Sequence, residues 1–498
     1  MPTTVAGSVP EALQAIAARP DIADRRALTA PDGSLTYREL GERIARMTRA
    51  VIAAGVERGD RIGILADRGL DTAAAFFAVL GAGGVAAILD PRQAPPTIAG
   101  QLRTAGISWL LLGDSFAPPA DARARSLALA DLAEESVARS GFRPDLDPSD
   151  DALLLFTSGS SGAPKAVRLS HGNILVNAAG VAERTGLTPE DRLLHVMPLY
   201  HTNGINNQLV TPLLVGSSVV MLERFRAETF FDEIARHRPS YVTGVPTIYT
   251  RLLAQSPRAE DLRSLRFARC GSAPITEALH RRIEAHLDVP LVVSYGLSEA
   301  TCTSAMNPPT RRKIGTVGPA LSGQEIAVLA LGGTVPMAPG AEGEICIRGA
   351  TLMKGYVGPG EDGRVLDSGW LRTGDLGRLD QDGYLAVTGR LKDVIIRGGE
   401  NIAPQAIETV LMEQPGIKAC CVVGVPNADL GEVPIAFVVC EDKAALDADA
   451  LKAAVRDRLS RIHAPSRIVP VDALPENAVG KVDRQKMKKM AAVGPASD

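Results

Sequence analysis

The chain lacks the features that mark a protein for a membrane, a nucleic acid or an oxidising compartment. Its six cysteines (Cys270, Cys302, Cys346, Cys420, Cys421 and Cys440) are scattered, with no C-x-x-C pair. The pattern offers neither a disulfide framework nor a zinc site, and the cysteines read as small buried hydrophobes. An excess of one charge is missing too: 54 Lys and Arg against 57 Asp and Glu leave a net charge of −3. That balance makes no electrostatic case for nucleic acid or an anionic membrane. The first residues, MPTTVAGSVPEALQ, have no basic start and no apolar run, unlike a secretory signal. The longest apolar stretch, Ala73 to Leu89, contains Gly81, Gly83 and Gly84 and falls short of the roughly 20 residues a spanning helix needs. It reads as a buried helix, a glycine turn and a buried strand. A cytoplasmic location and no membrane span are expected. No fixed-period repeat is seen.

What is present is an ordinary globular composition, 45% hydrophobic and 22% charged over 498 residues, long enough for two or more compact units. Short apolar runs alternate with amphipathic stretches. Strands are expected at 61–66, 84–90 and 108–114, with helices at 72–80 and 98–106 between them. The same alternation continues with strands at 218–223, 241–246, 262–270 and 290–296 and a helix at 227–236, the pattern of a parallel sheet with crossover helices. After about 310, glycine turns and short alternating strands (342–349, 382–390) predict a β-rich part. From 391 onward a mixed pattern returns, with a helix near 404–412 and another near 451–461. The expected fold is therefore α/β: a large N-terminal domain of stacked sheets with helices over 1–390, and a small α+β C-terminal domain over 391–498.

The strand 152–156 runs into TSGSSGAPK (157–165). This is not a Walker loop, because Pro164 precedes Lys165 and Ala166 follows it. It still has what a polyphosphate needs. Gly159 and Gly162 let backbone N–H groups approach oxygens; Thr157, Ser158, Ser160 and Ser161 add hydroxyls, and Lys165 adds charge. The competing reading is a flexible serine-glycine surface turn. The loop closely resembles the signature loop of the adenylate-forming superfamily, which includes acyl-CoA synthetases, luciferases and peptide-synthetase adenylation domains. The resemblance implies binding of the ATP β- and γ-phosphates. Ala166 departs mildly from that family's usual glycine.

Further segments resemble the family in its own order. PLYHTNG (198–204) resembles the segment that walls the acyl pocket and places His201 there. GSAP (Gly271, Ser272, Ala273, Pro274) resembles the strand end flanking adenine and acyl chain. YGLSE (295–299) resembles Y-G-x-T-E, which implies Tyr295 and Gly296 at adenine, Ser298 at the α-phosphate and Glu299 on Mg2+, a hard ion suited to carboxylate oxygen; Thr157 is the second expected metal ligand. TGD (373–375) implies Asp375 on the ribose hydroxyls. GRLKD (389–393) adds Arg390 for ribose or phosphate and Lys392 at the hinge. RGGEN (397–401) resembles the glycine pair, Gly398 and Gly399, that lines the pantetheine path, where a side chain would block the thiol's approach. PENAVGKVDR (475–484) matches the C-terminal lysine motif at Pro475, Gly480, Lys481 and Arg484, with Lys481 as the mobile catalytic lysine. Lys486, Lys488 and Lys489 read as a solvated basic tail.

The resemblance implies an ATP-dependent acyl-CoA synthetase. A carboxylic acid attacks the ATP α-phosphate, pyrophosphate leaves, and the acyl-AMP passes its acyl group to coenzyme A. The C-terminal domain would rotate about Lys392 between the two steps. The expected partners are the small-molecule acid, ATP and CoA, with the oligomeric state left open, a homodimer included. Thr202, Asn203, Asn206, Asn207 and Gln208 after His201 are polar for a fatty-acid tunnel, because each unpaired amide would cost roughly 1–3 kcal/mol; a small or polar acid is expected. The other reading has these amides facing solvent or bonded to backbone. Ser294 stands where malonate-activating relatives carry arginine, which argues against malonate, and SAMNP (304–308) with RGGEN resembles the oxalate-activating branch. The rival classes are a stand-alone adenylation enzyme loading a carrier protein, a luciferase-type oxygenase, and a non-catalytic nucleotide-binding protein. The last need not keep Lys165, Glu299, Asp375 and Lys481 together. Lys481→Ala is expected to slow adenylation by roughly 10²–10³-fold while sparing thiol transfer from supplied acyl-AMP. Half-reaction assays check this, and equal loss in both would refute the assignment.

Overall fold

An apolar stretch of this length needs cover on every side, and the fold is arranged to supply it. The helix Leu70–Gly81 is buried at every residue but Asp71, as expected of a helix that is apolar all round. It shares one core with Leu28, Val219 and Met221 from one large sheet and Ile62, Ile64, Leu153 and Val167 from another. The two sheets thus stack with this helix between them. These features come from a computed structural model that describes residues 7–134, 143, 145–158, 164–357, 365–441, 446–476 and 482–492.

The first sheet has eight strands in the order 305–306, 291–295, 267–270, 241–244, 192–195, 218–221, 26–30 and 33–36. Its six inner strands are parallel, and the two edge strands are antiparallel. The second has seven strands, ordered 356–357, 164–170, 151–158, 85–88, 61–65, 109–112 and 125–128. A four-stranded antiparallel sheet follows, formed by Gln324–Leu329, Gly343–Gly349, Leu371–Leu379 and Leu385–Arg390. The last sheet is five-stranded and built from residues 395–470. The helices Pro404–Met412 and Ala448–Arg458 share the core on one of its faces. The helix Arg484–Ala492 lays Met487 and Ala491 on a second cluster with Cys421, Val423 and Phe437.

Local chemistry starts several helices. Ser8 with Glu11, Thr36 with Glu39 and Ser170 with Asn173 each form reciprocal capping boxes, a device worth about 1 kcal/mol. Gly186, at φ 59°, ends the helix His171–Thr185 in the left-handed region that glycine tolerates best.

Three sequence expectations are corrected. The strands Asp151–Ser158 and Pro164–Ser170 form an antiparallel hairpin, with Thr157 opposite Lys165, inside a sheet expected to be parallel. A hairpin needs no crossover helix, so the short serine-glycine connection suffices. Of the stretch 262–270 expected as one strand, Leu262 ends the helix Ala259–Leu262 and only Phe267–Cys270 is strand. The helix expected from 227 opens as a 3₁₀ turn, Ala227–Thr229. Among the described residues no helix is long and apolar enough to cross a membrane, and all six cysteines are unpaired, four of them buried.

Candidate active site

The carboxyl ends of parallel strands are where open α/β sheets bind ligands. Here the strands Tyr241–Gly244, Phe267–Cys270 and Leu291–Tyr295 end side by side. Their ends, with Thr202, Asn203, Asn207, Cys302 and Thr303, line a narrow polar cleft that also takes in Gly271, Ser272, Ser294, Tyr295 and Gly296.

Beyond Tyr295 the chain turns sharply and returns as the strand Ala305–Met306. Gly296 is required there: a Cβ would stand 1.6 Å from the Cys302 carbonyl oxygen. Thr301 (φ 63°) and Cys302 (φ 112°) are held in left-handed backbone, a strain that persists only where the surroundings impose it. Ser298–Ala300 forms one 3₁₀ turn in this loop. It presents Glu299, 9% exposed, whose Oε1 accepts a 2.8 Å hydrogen bond from the Tyr356 hydroxyl. The Lys165 ammonium lies 5.4 Å from the Tyr356 ring centroid. Tyr356 pairs with Val167, and Thr157 with Lys165. Lys165 and Glu299 therefore both meet Tyr356, a residue that no local sequence pattern marks, with Thr157 across the hairpin from Lys165.

The second cluster centres on Asp375, 3% exposed. Its Oδ2 accepts from the Tyr295 hydroxyl at 2.7 Å, and its Oδ1 lies 2.6 Å from Arg390 Nε. Burial and the neighbouring carboxylate push the Tyr295 phenol well above its ordinary pKa, so it stays a donor. Asp375 and Arg390 are register partners on adjacent strands, which explains how residues fifteen apart meet. Ser272 adopts φ 67° at the strand end. Ala273 and Pro274 continue the same loop away from the cleft lining.

The amide-rich segment is the π-helix Asn203–Val210, buried throughout, a form frequent at functional sites. Gly204 permits it, since a Cβ would lie 1.9 Å from the Pro198 carbonyl oxygen. Both sequence readings of the amides apply in part. Asn203 and Asn207 line the cleft, Asn207 donating to Thr303 Oγ1 at 2.9 Å. Asn206 instead donates to the Thr301 carbonyl at 3.2 Å. None of the amides faces solvent, because all are under 9% exposed. His201 packs edge-on against Tyr200, ring centroids 4.6 Å apart, next to the lining rather than in it.

The remaining candidates belong to the C-terminal part. Lys392 sits in the 3₁₀ turn Leu391–Asp393, directly after Arg390. Gly398 (φ 60°) and Gly399 (φ 86°) form the two-residue turn between the strands Ile395–Arg397 and Glu400–Ile402. Such hairpin turns demand positive φ at both positions. A Cβ at Gly399 would meet nothing within 4 Å, so in this conformation turn geometry, not clearance, accounts for the pair. Gly159, Ser160, Ser161, Gly162, Gly480 and Lys481, and the side chain of Ser158, lie outside the described residues. Flanking Lys481, Glu476 and Val482 form a bridge, and Glu476 Oε2 meets Arg251 Nη2 of the large domain at 3.1 Å. Arg484, the last motif residue, is held by both Glu408 oxygens and the Val422 carbonyl.

The fold and site define a two-part α/β enzyme with a polar cleft at the sheet ends and a small C-terminal unit that meets the large one at Arg251 and Glu476. Residues 14–357 match the family model of AMP-binding enzymes, and 406–481 match that of the AMP-binding enzyme C-terminal domain. The chain belongs to the AMP-binding enzyme family. It is 35% identical to a feruloyl-CoA synthase of Amycolatopsis sp, covering 92% of this chain and 94% of that protein. It is 33% identical to a sulfoacetate–CoA ligase of Cupriavidus necator, covering 93% and 94%. The crystal structure of ATP-bound MatB from Rhodopseudomonas palustris superposes with a TM-score of 0.90 at 29% identity, over 97% of this chain and 99% of that one.

Gly296→Ala is expected to lower activity by roughly 10²-fold, since a displacement of about 1 Å at a site can cost that much. Steady-state rates with thermal unfolding alongside test it; a wild-type rate would show that the loop yields without consequence.

Proposed function

We propose that this AMP-binding enzyme is an ATP-dependent acid–CoA ligase acting on a short, polar carboxylic acid. The acid's carboxylate attacks the α-phosphorus of ATP, the bond to the bridging oxygen breaks, and pyrophosphate leaves. The CoA thiolate then attacks the acyl carbon and AMP departs. The observation that carries the nucleotide reading is the Tyr295–Asp375–Arg390 chain. A nearly buried carboxylate, already oriented by two donors, is a ready acceptor for paired ribose hydroxyls, with the Tyr295 ring beside it for adenine.

Glu299 fits the magnesium that accompanies ATP. Its carboxylate is hard, nearly buried and steadied by Tyr356, and Mg2+ needs only one or two protein carboxylates when phosphates supply the rest. Bound there, the ion would neutralise phosphate charge. Lys165, over the ring of Tyr356, and Thr157, its register partner, serve the same anions, joined by Gly159, Ser160, Ser161 and Gly162 of the loop. Ser298, next to Glu299, serves the α-phosphate. Lys481 is assigned the meeting of carboxylate and α-phosphate. The Arg251–Glu476 contact and the Glu476–Val482 bridge favour that assignment, because they tie the lysine's flanks to the large domain.

The boundary between the domains is assigned at Arg390. That residue is bound to Asp375 of the N-terminal part, while Ile395 already belongs to the C-terminal sheet, which leaves the turn at Lys392 as the pivot. Gly398 and Gly399 would come to the cleft only after rotation. The relatives are named for different thioesters, so the cleft must decide the acid. Thr202, Asn203, Asn207, Thr243 and Thr303 at its wall favour a polar one. The location assigned is the cytoplasm, where ATP and CoA are at hand.

The test is a pyrophosphate-release and hydroxamate screen over small mono- and dicarboxylates, with and without CoA. Acid-dependent pyrophosphate release and a CoA thioester are expected. Adenylation without any CoA thioester would select a carrier-protein acceptor instead. Lys392→Pro is expected to keep adenylation and to lose thioester formation; an unchanged overall rate would remove the pivot from Lys392.

A further inference from the structure

We propose that Arg269 anchors a second anionic group on the acid, so that the substrates are short carboxylic acids carrying a further carboxylate or sulfonate. This rests on the acid–CoA ligase reading above and sharpens its substrate class.

Arg269 stands one residue before the end of the strand Phe267–Cys270. Side chains alternate along a strand. Ala268 and Cys270 enter the core cluster on one face, which turns Phe267 and Arg269 to the other. Their register partners there are Tyr241 and Thr243, and Thr243 lines the cleft. The guanidinium is near enough to the Cys302 thiol and the Tyr241 and Tyr249 hydroxyls to interact electrostatically with them, and Cys302 is also in the cleft lining. Arg269 therefore lies beneath the cleft floor, 2% exposed.

Its surroundings leave it unanswered. Among the described residues no carboxylate pairs with it, and its buried Nε has no hydrogen-bond partner; nor has the buried Thr243 hydroxyl beside it. Two partly buried arginines are answered: Arg184 by the carbonyls of Met306, Pro319 and Ala320, and Arg484 by Glu408 and Val422. A guanidinium stays protonated in proteins, and an unpaired buried charge is strongly unfavourable. A packing role alone would be met by an aliphatic side chain. What the site lacks is an anion from outside, and the planar fork of arginine suits a carboxylate or sulfonate. An acid whose reacting carboxylate lies towards Ser272 and Tyr295 would direct its far end to Thr243 and Arg269.

The test uses the full chain and acids matched in length: a monocarboxylate, the corresponding dicarboxylate and the corresponding sulfocarboxylate. CoA-dependent AMP formation is measured for each. The wild-type enzyme is expected to prefer one or both dianions, the two arms showing which. Arg269→Gln is expected to cut kcat/KM for that dianion by roughly 30- to 1000-fold while leaving the monocarboxylate unchanged or improved. Thr243→Val should move the same ratio less. Stabilisation by ATP in thermal unfolding reports whether each variant is folded. Should Arg269→Gln not fold, the wild-type acid series with Thr243→Val decides. Preference for the monocarboxylate, or equal loss for all acids in a folded variant, would make Arg269 a structural residue answered by water and overturn the proposal while the ligase reading stands. Failure to activate any acid would remove that reading, and this proposal with it.

Discussion

A carboxylate taken almost wholly out of water must be bonded, and the way Asp375 meets that demand holds the active-site region together. Its two oxygens engage Tyr295, at the end of an inner strand of the eight-stranded sheet, and Arg390, at the end of the four-stranded sheet. One charge-assisted unit thus joins two sheets at the edge of the cleft. Hydrogen bonds to ionised groups contribute about 1.5–3 kcal/mol each, and leaving the carboxylate unpaired would cost more than either bond contributes. Arg390 is also the last residue before the turn that carries Lys392. The constraint that fixes the nucleotide side of the cleft therefore fixes the near end of the interdomain connection as well.

The other side of the cleft depends on close backbone approach. Gly204 and Gly296 each stand where any side chain would collide with a carbonyl oxygen. The first lets the π-helix start tight against the segment before it at Pro198, and the second lets the returning loop close on itself at Cys302. Asn206 and Asn207 then bond across to Thr301, Cys302 and Thr303. The positive φ angles of Thr301 and Cys302 are the local cost of the chain doubling back just after Glu299. Tyr356 completes this side by linking the edge of the seven-stranded sheet to Glu299. The edge of the seven-stranded sheet and the loop that follows an inner strand of the eight-stranded sheet thus meet at Glu299.

Much of the architecture was legible because its signals are local. The helix Pro404–Met412 and the strands at 61–65, 109–112 and 291–295 follow from apolar periodicity bounded by glycine, proline and polar turns. The hairpin at the serine-glycine loop went unread because an apolar run does not say which neighbour it pairs with. The reading of Gly398 and Gly399 as clearance for a thiol missed a nearer reason, two positive φ angles in a tight turn. Tyr356, Thr243 and Arg269 escaped notice because they lie on ordinary strands. Nothing within ten residues of Arg269 shows that its guanidinium will be buried without a carboxylate.

By itself, the order of residues determined which chemical groups are available and in what sequence: the phosphate-type loop, Glu299, Asp375, the lysine motif, and the glycines without which the turns cannot form. These are properties of torsion preference and side-chain chemistry, and they travel with the chain. Tertiary structure alone decided which groups face one another. It set Asp375 between Tyr295 and Arg390, gathered Lys165 and Glu299 around Tyr356, and left Arg269 charged beneath the cleft. Burial and pairing depend on strands distant in sequence coming side by side, and so do the energies that make a carboxylate an acceptor or a guanidinium an anchor.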